Sequence, residues 1–194
     1  MSYRPRGITI SEYVIQNIVA SANLGIELDL GTLALSLSGA EYEPEQFPGL
    51  IYRLKSPKSA TLLFRSGKLV CTGSRSLANV KQAIETVVSD VKNAGVPITA
   101  SPEIIVQNIV ASSDLGQDIN LNAIAISLGL ERVEYEPEQF PGLVYRLEEP
   151  KVVVLLFGSG KLVCTGARNP KDVEAAVKKI TEELQSIGML KATG

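Results

Sequence analysis

Strand-period and helix-period stretches alternate along the chain. Residues 14–21, 50–54, 59–64 and 68–72 are short, apolar and mostly β-branched or aliphatic, which predicts four strands. Residues 55–58 and 65–67 read as turns between them. Leu77, Val80, Ile84, Val87, Val88 and Val91 then recur at helical spacing. Val173, Val177, Ile180, Leu184 and Ile187 do the same later, with Pro170 suited to the first helical position. Asp29 and Asn120 are predicted N-caps of short helices over 30–37 and 121–128. Such a pattern predicts an α+β fold, an antiparallel sheet with its helices gathered on one side.

The strands carry too much apolar surface for that arrangement. In 68–72, Leu69 and Cys71 share one face, and Lys68, Val70 and Thr72 the other. Leu62 and Phe64 oppose Thr61 and Leu63, and Asn17 and Val19 oppose Ile18 and Ala20. Residues 152–157 are aliphatic or aromatic on both faces. Helices on one side leave the other face open, and an open antiparallel face is normally polar. Two explanations compete. One is burial of the second face by dimerisation or unforeseen packing. The other is an apolar surface kept for a partner. Arg53, Lys68, Arg146 and Lys161 fall on or beside this face, and a buried dimer face would rarely hold four unpaired cations. An apolar strip fringed with Lys and Arg suits a narrow anionic ligand.

The pattern occurs twice. Residues 42–75 and 135–168 are identical at 26 of 34 positions, at an offset of 135 − 42 = 93. Upstream, VIQNIVAS at 14–21 matches IVQNIVAS at 105–112 at an offset of 91, so the second copy gained two residues between Ser38 and Tyr42. A period near 90 exceeds that of a solenoid and marks a duplicated domain. Repeats over 1–95 and 104–194 are predicted, joined by a linker over 96–103 that holds Pro97 and Pro102.

Composition narrows the chemistry. Histidine is absent, which excludes His-dependent acid–base catalysis and His-based metal sites. Cys71 and Cys164 are too few for a zinc cage and read as buried core thiols. No cofactor or metal is implied, and an enzyme is disfavoured. The net charge of −2 does not suit a polybasic nucleic-acid coat. The longest aliphatic run, 152–157, is far short of a membrane span, and residues 1–7 lack a signal-peptide core. GSGK at 158–161 is not a phosphate loop, because Leu155 and Leu162 occupy positions that need Gly and Ser/Thr; a hairpin turn fits better. The four phenylalanines form two repeat-equivalent pairs, Phe47 with Phe64 and Phe140 with Phe157, beside turns. They are core aromatics or wedges at two symmetric ends.

The units QNIVAS, YEPEQFPGLIYRL and LLFRSGKLVCTG, with their second copies, resemble the core of the TATA-binding protein family over about residues 10–188. The short N-terminal arm makes it more similar to archaeal members. The resemblance implies a saddle whose concave ten-stranded sheet sits on the DNA minor groove, a general transcription initiation factor that bends its DNA. It implies Phe47, Phe64, Phe140 and Phe157 as wedges. Asn17, Thr72, Asn108 and Thr165 match central donors to the N3 and O2 acceptors of A·T pairs. Val19, Val110, Leu62, Leu155, Val70 and Val163 match the apolar floor. Arg53, Lys58, Lys68, Arg146, Lys151 and Lys161 match the phosphate-contacting rim.

It further implies transcription factor B as a partner, through Glu136, Glu138 and Gln139, and RNA polymerase indirectly. Homodimerisation off DNA is a further expectation, and the compartment is cytoplasmic at the nucleoid, or nuclear in a eukaryote. Glu43 and Glu45 repeat the factor-B loop in the first copy, so two-fold symmetric DNA binding is expected. The helix at 77–91 and its margin carry only Lys81 and Lys92, which disfavours the transcription factor A contact of eukaryotic relatives. The alternative reading is a non-initiating interaction module of the same fold.

Overall fold

A computed structural model describes residues 12–191; the signal-peptide reading of residues 1–7 lies outside the described residues. In the first repeat β1 (Tyr13–Asn23) leads to α1 (Leu30–Ser36), β2 (Ala40–Glu41), β3 (Leu50–Lys55), β4 (Lys58–Leu63), β5 (Lys68–Ser74) and α2 (Leu77–Asn93). The second repeat follows the same order: β6 (Ile105–Asp114), α3 (Leu121–Leu128), β7 (Val133–Glu134), β8 (Leu143–Leu147), β9 (Val152–Leu156), β10 (Lys161–Ala167) and α4 (Pro170–Ser186). The strand order is β2-β3-β4-β5-β1 in the first and β6-β10-β9-β8-β7 in the second, antiparallel in every pair of these two runs for which a register is given. The fold is α+β with two repeats, as expected.

By contacts the chain separates into Ile15–Asn108 and a unit from Ile109 that also takes the described residues up to Val14. Two hydrogen bonds tie that short segment to the second unit. Tyr13 donates its hydroxyl to the Pro170 carbonyl at 3.3 Å, and Ser113 Oγ donates to the Glu12 carbonyl at 2.7 Å.

The caps form as the pattern requires. Asp29 accepts from the Thr32 amide and Asn120 from the Ala123 amide, each at 3.0 Å. Thr32 holds the Asp29 carboxyl below its ordinary range. Ser76 and Asn169 cap the long helices in the same manner. In α2, Val80, Ala83, Ile84, Val87 and Val91 are buried and the helix packs on β4 and β5. In α4, Val173, Ala176, Val177, Ile180 and Leu184 do the same against β9 and β10. Leu77 departs from its pattern: at the first helical position it points outward and is 43% exposed.

Two strands escape the sequence pattern. β2 and β7 are two residues long, too short to show alternation, and gain their identity only by pairing with β3 and β8. The turn expected over 55–58 shrinks to Ser56 and Pro57, because Lys55 and Lys58 still pair. The chain passes through a cis peptide bond there, and at Glu149–Pro150 in the second repeat.

GSGK and RSGK are hairpin turns. The Gly67 and Gly160 amides donate to the Phe64 and Phe157 carbonyls at 2.9 Å, so these amides face inward. Both glycines have positive φ, +85° and +82°, and a Cβ on them would collide with the Ile26 and Gln117 carbonyl oxygens. Leu24 and Leu28 donate to Gly67 and Arg65 from the segment that closes over the turn.

A bulge interrupts β5. Ile18 pairs with Ser74 and Ala20 with Cys71, so three steps on β5 match two on β1. β10 repeats it against β6, with Ile109 opposite Ala167 and Ala111 opposite Cys164.

Candidate nucleic-acid interface

Strand alternation sorts each sheet into two faces. Leu50, Leu63, Leu69 and Cys71 turn to the helices and are fully buried, as are Leu143, Val154, Leu156, Leu162 and Cys164. The other face holds direct cross-strand rows. Glu41 pairs with Ile51, Ile51 with Leu62, and Leu62 with Val70. Glu134, Val144, Leu155 and Val163 make the same row in the second unit. Apart from the exposed glutamates these side chains are half-buried, with no helix over them. Val19 and Val110 are half-buried as well. Covering so many aliphatic groups is worth about 25 cal/mol for each Å² removed from water, which favours an occupant.

The phenylalanines pair as predicted. Phe47 and Phe64 meet edge to face with centroids 6.0 Å apart, Phe140 and Phe157 with centroids 5.9 Å apart. Phe47 and Phe140 are 36% and 39% exposed, so neither is an ordinary core aromatic. Glycine makes room for each pair. A Cβ on Gly49 would lie 2.7 Å from Phe47 Cε1 and 3.1 Å from Phe64 Cε1; on Gly142 the distances are 2.7 Å to Phe140 and 3.0 Å to Phe157. The outer ring is carried by a tight turn in which the Gln46 and Phe47 amides donate to the Glu43 carbonyl at 2.9 and 3.0 Å. Gln139 and Phe140 repeat this on Glu136. Glu43, Glu45, Glu136 and Glu138 are exposed on those turns.

Asn17 and Thr72 come together through the bulge. The Gly73 amide donates to Asn17 Oδ1 at 2.8 Å, which fixes the amide's orientation. Asn17 Nδ2 then donates to Thr72 Oγ1 at 3.0 Å, shorter than the 3.3 Å of the reverse sense. In that arrangement the threonine hydroxyl accepts from Asn17 and retains its own proton for an external acceptor. Asn108 and Thr165 are half-buried at the equivalent positions.

Lys58, Lys68, Lys151 and Lys161 are exposed at the margins of the open faces. The expectation of four unpaired cations needs correcting for the two arginines. Arg53 Nε lies 3.9 Å from Glu41 Oε1, and Arg146 Nε lies 3.3 Å from Glu134 Oε1. The glutamates sit on the two short strands that the hydropathy pattern missed. Ile51 and Val144 also belong to the open face, as the alternation of their own strands implies.

Burial raises the Cys71 thiol, and pushes Cys164 up to about 11. Both are buried free thiols against the helices, as expected. Among the described residues no His, Cys, Asp and Glu cluster could hold a metal, and no helix is long and apolar enough to cross a membrane.

The family model described as "Transcription factor TFIID (or TATA-binding protein, TBP)" matches residues 12–94 and 103–187. The "TATA-box-binding protein E" of Halobacterium salinarum is 59% identical over 176 residues, 91% of this chain and 95% of that protein. The "TATA-box-binding protein" of Picrophilus torridus is 58% identical over 181 residues, 93% of this chain and 98% of the relative. The solved structure of Methanococcus jannaschii TBP superposes with a TM-score of 0.82 at 51% identity, covering 90% of this chain and 99% of that one. These relatives are transcription factors, not enzymes. With both repeats matched in order and relatives near 60% identity, the chain belongs to the TATA-binding protein family, in its archaeal form.

Proposed function

We propose that this protein is a general transcription initiation factor that binds a TATA element through the DNA minor groove and bends it. The observation that carries the reading is the pair of repeat-equivalent phenylalanine couples, each at the end of an uncovered apolar sheet face. An aromatic edge beside an aliphatic floor unstacks a base step and covers the exposed base surfaces, and the bend repays part of that unstacking by bringing more surface into contact. Asn17, Thr72, Asn108 and Thr165 donate to the N3 and O2 acceptors of A·T pairs, while the aliphatic floor excludes the guanine N2 amine. Lys58, Lys68, Lys151, Lys161, Arg53 and Arg146 take the flanking phosphates. Each repeat, 1–95 and 104–194, carries one such face, with 96–103 as the linker.

Glu136, Glu138 and Gln139 dock transcription factor B, which brings RNA polymerase. The complex acts at the nucleoid. Support comes from the exposed turn that presents the two carboxylates.

The test is a titration onto a duplex with a central TATA-like element, labelled at both ends for energy transfer, across a salt series. A matched G·C-rich duplex is the control. A large end-to-end shortening, lost in Phe64→Ala with Phe157→Ala, is the expected result. No binding over a range of salt and temperature would reassign the open faces to protein partners or self-association.

A further inference from the structure

We propose that Glu41 and Glu134 are built-in competitors for the phosphate-binding arginines, and so set how tightly and how salt-sensitively this protein holds DNA. The inference rests on the DNA-binding reading of the open faces.

The geometry follows from strand register. Glu41 is fixed opposite Ile51 by the β2–β3 ladder, and Arg53 lies two residues further along β3, on the same face. A diagonal neighbour at that spacing is within reach of long side chains. The carboxylate and guanidinium meet at 3.9 Å, with side-chain exposures of 63% and 60%. Glu134, opposite Val144, meets Arg146 at 3.3 Å in the second unit. The contact is thus repeated although the stretch from the start of α3 to β7 is two residues longer than that from α1 to β2. The same pairing across a changed connection points to the ladder, not the loop, as its cause.

Each glutamate closes the row that runs through Ile51, Leu62 and Val70, or through Val144, Leu155 and Val163. A phosphate that takes the arginine must displace the carboxylate. An ion pair this open is weak and yields readily. The carboxylate does not leave, however, because its backbone stays in the ladder. It remains beside the incoming phosphate, and its repulsion falls on the bound state alone. Local placement matters more here than the net charge of −2. With the arginines already partly neutralised, DNA binding releases fewer counterions than six cationic rim positions would.

The test measures affinity for the same end-labelled A·T-rich duplex, from low to high salt, for four proteins. These are the wild type, Glu41→Gln with Glu134→Gln, Arg53→Ala with Arg146→Ala, and all four substitutions together. Circular dichroism checks that each folds. The glutamine variant is expected to bind about three- to tenfold more tightly at low salt, a size set by two screened surface charges. Its salt slope steepens by up to about 0.9 for each arginine released. In the arginine-free background the gain falls by at least half. If the wild type binds and the glutamine variant matches it in affinity and slope, this proposal is overturned and the DNA reading stands. A gain that persists in full without the arginines also overturns it. If the wild type binds no duplex, the DNA reading fails and this inference with it.

Discussion

Tyr145 donates its hydroxyl proton to Glu183 at 2.7 Å, and Arg132 reaches both residues. Its guanidinium pairs with Glu183 at 2.8 Å and lies 5.4 Å from the centre of the Tyr145 ring. In the first repeat the equivalent Tyr52 donates to Asp90 at 2.9 Å. Arg132 belongs to the connection between α3 and β7; from the start of α3 to β7 the second copy is two residues longer than the first, one in the helix and one in the connection. At the offset of 93 Arg132 stands where the first repeat has Gly39, and it adds a cation to a tyrosine–carboxylate bond that both repeats share. Arg132→Ala leaves Glu183, only 19% exposed at its side chain, without that cation. A loss of about 1–2 kcal/mol is expected in chemical denaturation, the size of a hydrogen bond to a charged group. An unchanged midpoint would show that the contact adds nothing.

The same tyrosine predicts alkaline behaviour. Burial first, then the Glu183 hydrogen bond and charge, push the Tyr145 hydroxyl up to about 12, with Arg132 opposing. Because the folded value is raised, the stabilisation is complete below the ordinary value of 10.0 and is lost as pH climbs from there to about 12. Cys164, raised from 9.0 to about 11 by burial, adds a loss that begins earlier. The melting temperature should fall from about pH 9 upward, and Tyr145→Phe should flatten the portion between pH 10 and about 12. Parallel curves for the two proteins would contradict this.

Thr61 is wholly buried, and its hydroxyl finds no partner in hydrogen-bond geometry, only the weakly polar Cys71 thiol nearby. Val154 holds the equivalent place and is equally buried. Thr61→Val removes a desolvated polar atom at nearly constant volume, so it should stabilise the protein by about 1 kcal/mol in urea unfolding. The reciprocal Val154→Thr should destabilise by about 1–3 kcal/mol. Loss of stability in Thr61→Val would mean that the hydroxyl is satisfied in solution.

Gly49 lets the Phe47 ring lie against the backbone. The atoms a Cβ would meet are the edges of Phe47 and Phe64, with no backbone among the nearest three. Gly49→Ala should therefore displace the outer ring while changing stability by less than about 1 kcal/mol. With the DNA assay above, bending should drop and affinity should weaken several-fold at one end of the site. A variant that bends the duplex like the wild type would show that the ring position is not critical.

Both repeats present the turn YEPEQFPG, and 26 of 34 positions agree between residues 42–75 and 135–168. Binding to a TATA element in its two orientations should thus be nearly equal, within a factor of about two, or roughly 0.4 kcal/mol. Tethered cleavage from each end of the bound protein, without factor B, reads the ratio. A strongly one-sided pattern would place the asymmetry in Arg65 against Gly158, or in Lys55 and Ser56 against Glu148 and Glu149.

Much of this was legible because strand parity is a local property. The alternation of Leu69 and Cys71 against Lys68, Val70 and Thr72 needs five residues, and the structure keeps it unchanged. Caps at Asp29 and Asn120 need four. Contacts set by long-range register were not legible. Ala40 and Glu41 carry no period of their own, so neither β2 nor the grip of Glu41 on Arg53 showed in the pattern. Arg132 looked like any exposed arginine until folding set it beside a residue 51 positions away, at Glu183. The space that Gly49 leaves for two rings likewise depends on a second segment, the one that brings Phe64 against the turn.

The bulge at Gly73 makes length, more than identity, the guarded quantity in the stretch between Cys71 and Ser76. The extra step on β5 lets Thr72 look outward and Ser74 look inward, and its amide aims the Asn17 oxygen. Removing one residue there would close the bulge into a regular ladder, with Ser74 still opposite Ile18, and would take away the Gly73 amide that holds Asn17. The stretch of α3 and the connection ahead of β7 absorbed two residues without moving Val133 from Tyr145. Descendants of this chain are thus free to drift in length at one joint and bound to a fixed count at the other.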